Sequence, residues 1–227
     1  MCSSDLTILG THASKAAPHP VVVSDELTDP KLCATCHQLS WPDGDRPFYD
    51  TYGEWKASAY STAGITCQDC HMAPVAGVPV AGSQGTAPSH AFSADPRRAL
   101  SALVSLPSAR ITRGQATELT LTLQNTGAGH SVPTGSPFSS LKVDVVLLDA
   151  ANKELAPAFS TVLARTVEPK PPYKTLTDTR LGAGAQTTVK HTFTPNAKGA
   201  PGRGAVEVRL VRGKDVVVLQ RIVVEVS

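Results

Sequence analysis

The stretch Leu119-Thr120-Leu121-Thr122-Leu123-Gln124-Asn125-Thr126-Gly127 decides how the larger part of this chain folds. Leucine falls on every second position with polar residues between. That is the period of a strand with one face in a core, and Asn-Thr-Gly closes it as a turn. The pattern recurs downstream. Leu141, Val143, Val145 and Leu147 share a face, as do Val206, Val208 and Leu210, and Val216–Val226 is a further β-branched run. Asp149-Ala150-Ala151-Asn152 and Arg212-Gly213-Lys214-Asp215 supply turns. About seven strands with no convincing helix predict an antiparallel β-sandwich of immunoglobulin type over residues 98–227. It has no cysteine pair, so the disulfide of antibody domains is absent.

Residues 7–97 differ in kind. They hold most of the histidines and aromatics and few aliphatic runs. One helix reads clearly: Thr51-x-x-Glu54 has the form of a capping box, and Phe48, Tyr52, Trp55 and Ala59 follow at near-helical spacing. Ala73–Ser89, rich in Gly, Pro, Ala and Ser, reads as loop. So little aliphatic material cannot build an ordinary core, and something else must fill it. Residues 1–6, Met1-Cys2-Ser3-Ser4-Asp5-Leu6, back-translate to the end of a common sequencing adapter and read as a scar, in which case the natural chain extends upstream. The other reading makes Cys2 the lipidated cysteine of a processed lipoprotein.

The chain of 227 residues has a net charge of +2, which offers no argument for nucleic acid or an anionic membrane as partner. No run approaches the ~20 apolar residues of a membrane helix.

The chemistry lies in Cys33-Ala34-Thr35-Cys36-His37 and Cys67-Gln68-Asp69-Cys70-His71, both C-x-x-C-H. Two thiols at this spacing add across the vinyl groups of a haem, and the following histidine supplies the proximal imidazole. From the chain's own Cys and His frequencies, roughly 0.003 such matches are expected by chance. The motifs thus predict two covalently attached haem c groups on Cys33, Cys36, His37 and Cys67, Cys70, His71, whose porphyrin faces replace the missing aliphatic core. A four-cysteine zinc site is the weaker reading, because the pairs lie farther apart than the usual ~15–20 residues and zinc needs no histidine after each pair. Thioredoxin-like chemistry wants one C-x-x-C in a βαβ context, which is missing.

Each iron has a sixth position. Met72 directly follows His71 and cannot easily reach the opposite face of the same haem, so bis-histidine ligation is expected. His12, His19, His90 and His130 are the candidate distal ligands. His90 follows a flexible loop. His130 lies in Gly127-Ala128-Gly129-His130-Ser131-Val132-Pro133-Thr134-Gly135, where glycines on one side and Pro-Thr-Gly on the other expose it on a shaped loop. His191 shares a strand face with Val189 and Phe193 and reads as a half-buried strand histidine.

Four stretches carry a family resemblance: Glu54-Trp55-Lys56-Ala57-Ser58, Gly64-Ile65-Thr66-Cys67-Gln68-Asp69-Cys70-His71-Met72, Ser89-His90-Ala91-Phe92, and Asn125–His130 with Pro133-Thr134-Gly135. Together they resemble the C-terminal part of multihaem c-type cytochromes, whose haems pack in chains like those of the nitrite-reductase and hydroxylamine-oxidoreductase group. Some of these end in an immunoglobulin-like β domain. The resemblance covers about residues 30–227 and implies that His130 is a distal ligand donated from the β region. Relatives carry more haem motifs than the two present here.

The expectation is an α+β multidomain chain: a small, mostly irregular or helical dihaem module over 7–97, then an immunoglobulin-like sandwich over 98–227. Its expected function is electron transfer to redox partner proteins or neighbouring haem domains. With four propionates and two ferric irons the net charge falls to about zero, which suits a neutral conduit. The alternatives are a multihaem oxidoreductase acting on small nitrogen or sulfur compounds, which needs a five-coordinate haem, and a β-sandwich docking module of a cell-surface cytochrome assembly. Cytochrome c maturation occurs outside the cytoplasmic membrane, so the periplasm or the cell exterior follows from the haem reading.

Overall fold

The leucine alternation is satisfied by a second sheet. The computed structural model describes residues 6–13, 15, 17–76, 86–89, 91–92 and 95–227. Early in the chain, strands β1 (Ile8–Gly10) and β2 (Val21–Val23) pair in parallel, β3 (Gln38–Leu39) pairs with β4 (Tyr49–Asp50), and β5 (Pro74–Ala76) pairs with β6 (Thr86–Pro88). Among them lie the helices α1 (Lys31–His37), α2 (Thr51–Lys56), α3 (Ala59–Thr62) and α4 (Cys67–His71), and α5 (Pro96–Ala99) leads into the longer strands. These are β7 (Leu100–Ser105), β8 (Arg110–Ile111), β9 (Thr117–Asn125), β10 (Ser140–Leu148), β11 (Phe159–Val167), β12 (Thr175–Asp178), β13 (Gln186–Phe193), β14 (Gly202–Arg212) and β15 (Asp215–Val226).

Six of them form one sheet in the order β12-β11-β10-β14-β15-β8, and three form another, β13-β9-β7. Leu119, Leu121 and Leu123 of β9 are at most 1 % exposed. They share one apolar cluster with Val143, Val145 and Leu147 of β10 and Val206, Val208 and Leu210 of β14. Period-two leucines on one sheet and period-two valines on the other thus bury each other's faces. The β14–β15 turn is the two residues Gly213 and Lys214, with Gly213 at φ 60°, a conformation that glycine adopts without a Cβ clash.

The expected α+β organisation is not what the chain builds. Of the described residues, 43 % are strand and 14 % helix, in five sheets, and no helical module precedes a single β-sandwich. The longest helix, α1, has seven residues. The reason is local: each C-x-x-C-H motif demands little more than one helical turn, and the apolar spacing around Phe48–Ala59 is broken at Ala57 and Ser58 into two short helices. Ala73–Ser89, expected as loop, forms a two-stranded ribbon at its ends, its middle lying outside the described residues. The reading of residues 1–6 also lies outside them, apart from Leu6.

The early segment is tied to the β region along the β11–β12 edge. Thr175 donates through its N–H and hydroxyl to the Asp45 carboxylate, Arg46 pairs with Asp178 at 3.0 Å, and Arg165 Nη2 donates to the carbonyls of Pro47 and Phe48. Trp41 stacks on Tyr173 with ring centroids 3.9 Å apart.

Leu121→Ala, at a wholly buried position, is expected to cost about 2–5 kcal/mol in urea denaturation. Leu103→Ala, at a position 60 % exposed, should cost less than about 0.5 kcal/mol. Equal losses would contradict the placement of the core.

Candidate haem-binding site

The two cysteine motifs are built as matching short helices. Helix α1 starts at Pro30, and the Asp29 carboxylate accepts from Lys31 N–H at 2.8 Å, satisfying a free donor of the first turn. Helix α4 starts at Thr66 with a complete capping box: the Thr66 hydroxyl accepts from Asp69 N–H, and the Asp69 carboxylate accepts from Thr66 N–H at 2.7 Å. The first and fourth motif positions fall three residues apart on one helix face, as a two-point attachment requires.

The motifs lie side by side. Gln68, inside the second, donates through its side chain to the carbonyls of Leu27 and Asp29, at the entry to α1. The Cys67 thiol is pushed up to about 11, first by burial and then by the adjacent Cys33. The four cysteines of the two motifs are unbridged. Among the described residues no three His, Cys, Asp or Glu side chains converge as a metal-ion site would require.

The His71 and His130 rings are stacked. Their ring centroids are 6.1 Å apart and their planes differ by 13°. A haem iron binds imidazole nitrogen at about 2.0 Å, and that nitrogen sits about 1.2 Å from its ring centre, so two axial rings on one iron have centroids about 6.4 Å apart. The observed centroid separation is close to that distance. His130 Nδ1 lies 3.0 Å from the Ser131 carbonyl oxygen. A carbonyl can only accept, so Nδ1 carries the proton and Nε2 keeps its lone pair for a metal. Burial first, then nearby His130 and His37, hold His71 below its usual pKa, which favours the neutral, ligating form.

Two side chains hold the loop that carries His130. Asn125, fully buried at the end of β9, donates through Nδ2 to the carbonyls of His130 (2.8 Å) and Leu181 (3.0 Å), and its Oδ1 accepts from Ala128 N–H at 3.0 Å. Glu54 of α2 accepts from Ser131 N–H at 3.1 Å, from the Thr134 hydroxyl at 2.7 Å and from Arg180 at 2.8 Å. Thr51 and Glu54 therefore do not form the expected capping box. The N-cap of α2 is Asp50, with no side-chain cap, and the Thr51 hydroxyl bonds that of Thr134. The glycines act by close approach: a Cβ on Gly127 would lie 1.7 Å from the Arg98 carbonyl oxygen, and one on Gly129 would press on Tyr60 and Trp55 at 3.2 and 3.3 Å.

Of the other candidates, His90 lies outside the described residues. His12 and His19 sit in the β1–β2 connection, and neither is among the groups that perturb His71. His37 ends α1 and is exposed. His191 is half-buried on β13 and stacks on Phe159 with centroids 4.3 Å apart, as its strand position predicts. Sequence reasoning missed Asn125, Arg180 and the Thr66–Asp69 box. Only the last had a visible signal, the Thr-x-x-Asp spacing.

No protein-family model matches the chain, and no curated protein matches it by sequence. Among solved structures it is similar to a penta-heme cytochrome c552 from Thermochromatium tepidum, with a TM-score of 0.59 and 19 % identity over 91 % of this chain. The chain spans 58 % of the length of that cytochrome. The likeness is one of fold. A CARDB domain from Pyrococcus furiosus aligns with 56 % of this chain, and 87 % of its own, at a TM-score of 0.34 and 18 % identity, too loose to carry an argument.

The ion pairs behind the loop give a pH signature. Burial works against the Asp178 carboxylate, but hydrogen bonds and charge from Arg180 more than offset it and hold its pKa below the usual range. A depressed folded pKa contributes stability that is present above the unfolded value of about 4 and lost as pH falls through the folded value. Urea denaturation below about pH 4 should show stability falling less steeply in Asp178→Asn than in the wild type. Identical slopes would contradict the role given to this pair.

Proposed function

We propose that this chain carries electrons through two covalently attached haem c groups. Cys33 and Cys36 hold one, with His37 as its proximal ligand. Cys67 and Cys70 hold the other, between His71 and His130. The observation that carries this reading is the 6.1 Å centroid separation of the near-parallel His71 and His130 rings, beside the cysteine pair on α4. When bound, each haem supplies a one-electron Fe(III)/Fe(II) couple.

The chain's own part is to orient and to shield. The α1 and α4 helices fix the thioether positions, and Gln68 holds the motifs together. His130, with Nδ1 committed to Ser131, presents Nε2. If His71 and His130 both ligate that iron, they would leave it no position for a substrate, which favours electron transfer over catalysis. His90, His12 and His19 are the candidates for the sixth ligand of the haem on Cys33 and Cys36. The physiological partners are redox proteins or neighbouring haem modules, and attachment of haem c places the protein in the periplasm or outside the cell. No helix among the described residues is long and apolar enough to cross a membrane.

Acid–acetone extraction followed by a pyridine haemochrome assay should find two non-extractable haems per chain. Haem that extracts freely, or zinc in place of iron, would contradict the proposal. The ferric spectrum should lack the ~695 nm band of methionine ligation. His130→Ala should convert one haem to a high-spin or water-ligated form while both thioether attachments persist, and His191→Ala should leave the spectra unchanged. Unaltered low-spin spectra in His130→Ala would return His130 to a turn residue.

A further inference from the structure

We propose that Glu54 is the positioning residue that sets the orientation of the His130 imidazole toward the iron. The inference rests on the reading of His130 as an axial ligand and adds to it the group that holds the ring in register. One oxygen of the Glu54 carboxylate takes the Ser131 N–H at 3.1 Å and the Thr134 hydroxyl at 2.7 Å, and the other takes Arg180 Nη1 at 2.8 Å. Arg180 is fixed in turn by Asp178 through Nε and Nη2, each at 2.9 Å.

The Glu54 and Arg180 side chains are 13 % and 9 % exposed, so water competes little for these bonds. Hydrogen bonds to an ionised, partly buried acceptor belong to the stronger class. Their geometry bears directly on the ring. Ser131 N–H belongs to the peptide that joins it to His130, and the Ser131 carbonyl receives His130 Nδ1–H. Holding Ser131 on its amide side therefore fixes the carbonyl that sets the rotation of the imidazole about its Nε2 axis. Asn125 holds the His130 carbonyl from the other side. A carboxylate suits this place because it offers two oxygens, one for the loop and one for the guanidinium. A glutamine keeps one acceptor for the loop and loses the charge that draws Arg180.

The near-parallel rings, 13° apart, give the test its readout. In a low-spin ferric haem with two imidazoles, the largest g-value in electron paramagnetic resonance reports the angle between the two ring planes. In the haem-loaded protein, Glu54→Ala should shift the largest g of one haem and leave the other in place. It should also raise the rate at which cyanide displaces the distal ligand by about tenfold or more. Glu54→Gln should recover part of both changes, which a purely structural role would not predict. Thr134→Val removes a single donor and should shift both readouts in the same direction by a smaller amount. It decides the matter if Glu54→Ala does not fold. If His130→Ala alters one haem but Glu54→Ala and Thr134→Val change neither the g-value nor the cyanide rate, the positioning role is wrong and the ligand assignment stands. If His130→Ala alters nothing, the ligand assignment itself falls, and this inference with it.

Discussion

The single peptide bond that joins His130 to Ser131 is held at both its carbonyl and its amide by two side chains that reach the loop from opposite directions, and the arrangement around the C-x-x-C-H motifs depends on this. Asn125 comes from the end of a core strand and takes the His130 carbonyl, while Glu54 comes from a short helix and takes the amide of Ser131. Neither partner is generous with alternatives: Asn125 is sealed from water, and Glu54 is locked to Arg180. A histidine on a loop with this backing loses little conformational entropy when it binds. That is how a gap of 6.1 Å between two rings can persist between segments far apart in the chain.

The β region works as the anchor for that loop. Strand β9 carries the three buried leucines and ends at Asn125, whose backbone also exchanges hydrogen bonds with Ala185 and Gly184. Val132 and Leu181 pair through both backbone hydrogen bonds, closing the far side of the loop. The core that buries Leu121 therefore also fixes where His130 stands. On the other side, Asp45, Arg46 and Trp41 lay the early segment along the β11–β12 edge, which brings α2 and its Glu54 within reach of the loop.

Much of this is written locally in the residues. The C-x-x-C-H spacing points to the proposed thioether cysteines and proximal histidines, because the pattern has few other chemical uses. The alternation around Leu121 and Val208 and the turn at Gly213 read directly as strands and hairpin. What escapes the eye is whatever depends on a distant partner. Thr51-x-x-Glu54 and Thr66-x-x-Asp69 have the same form, yet only the second caps a helix, since Glu54 finds Ser131, Thr134 and Arg180 instead. Gly127 and Gly129 suggest backbone freedom. Their reason is the Arg98 carbonyl and the Tyr60 and Trp55 rings against which the loop lies. The expected helical module failed for a related cause: aromatic and apolar residues at near-helical spacing pack across short helices and ribbons against the β edge, and no long helix is needed to bury them.

Diffraction from crystals of the haem-loaded protein, collected at the iron absorption edge, would locate the metal itself. An anomalous iron peak is expected between the His71 and His130 rings, with Nε2 of each about 2.0 Å from the metal. An iron bonded to His71 whose opposite face is taken by another group, with the His130 ring turned away, would contradict it.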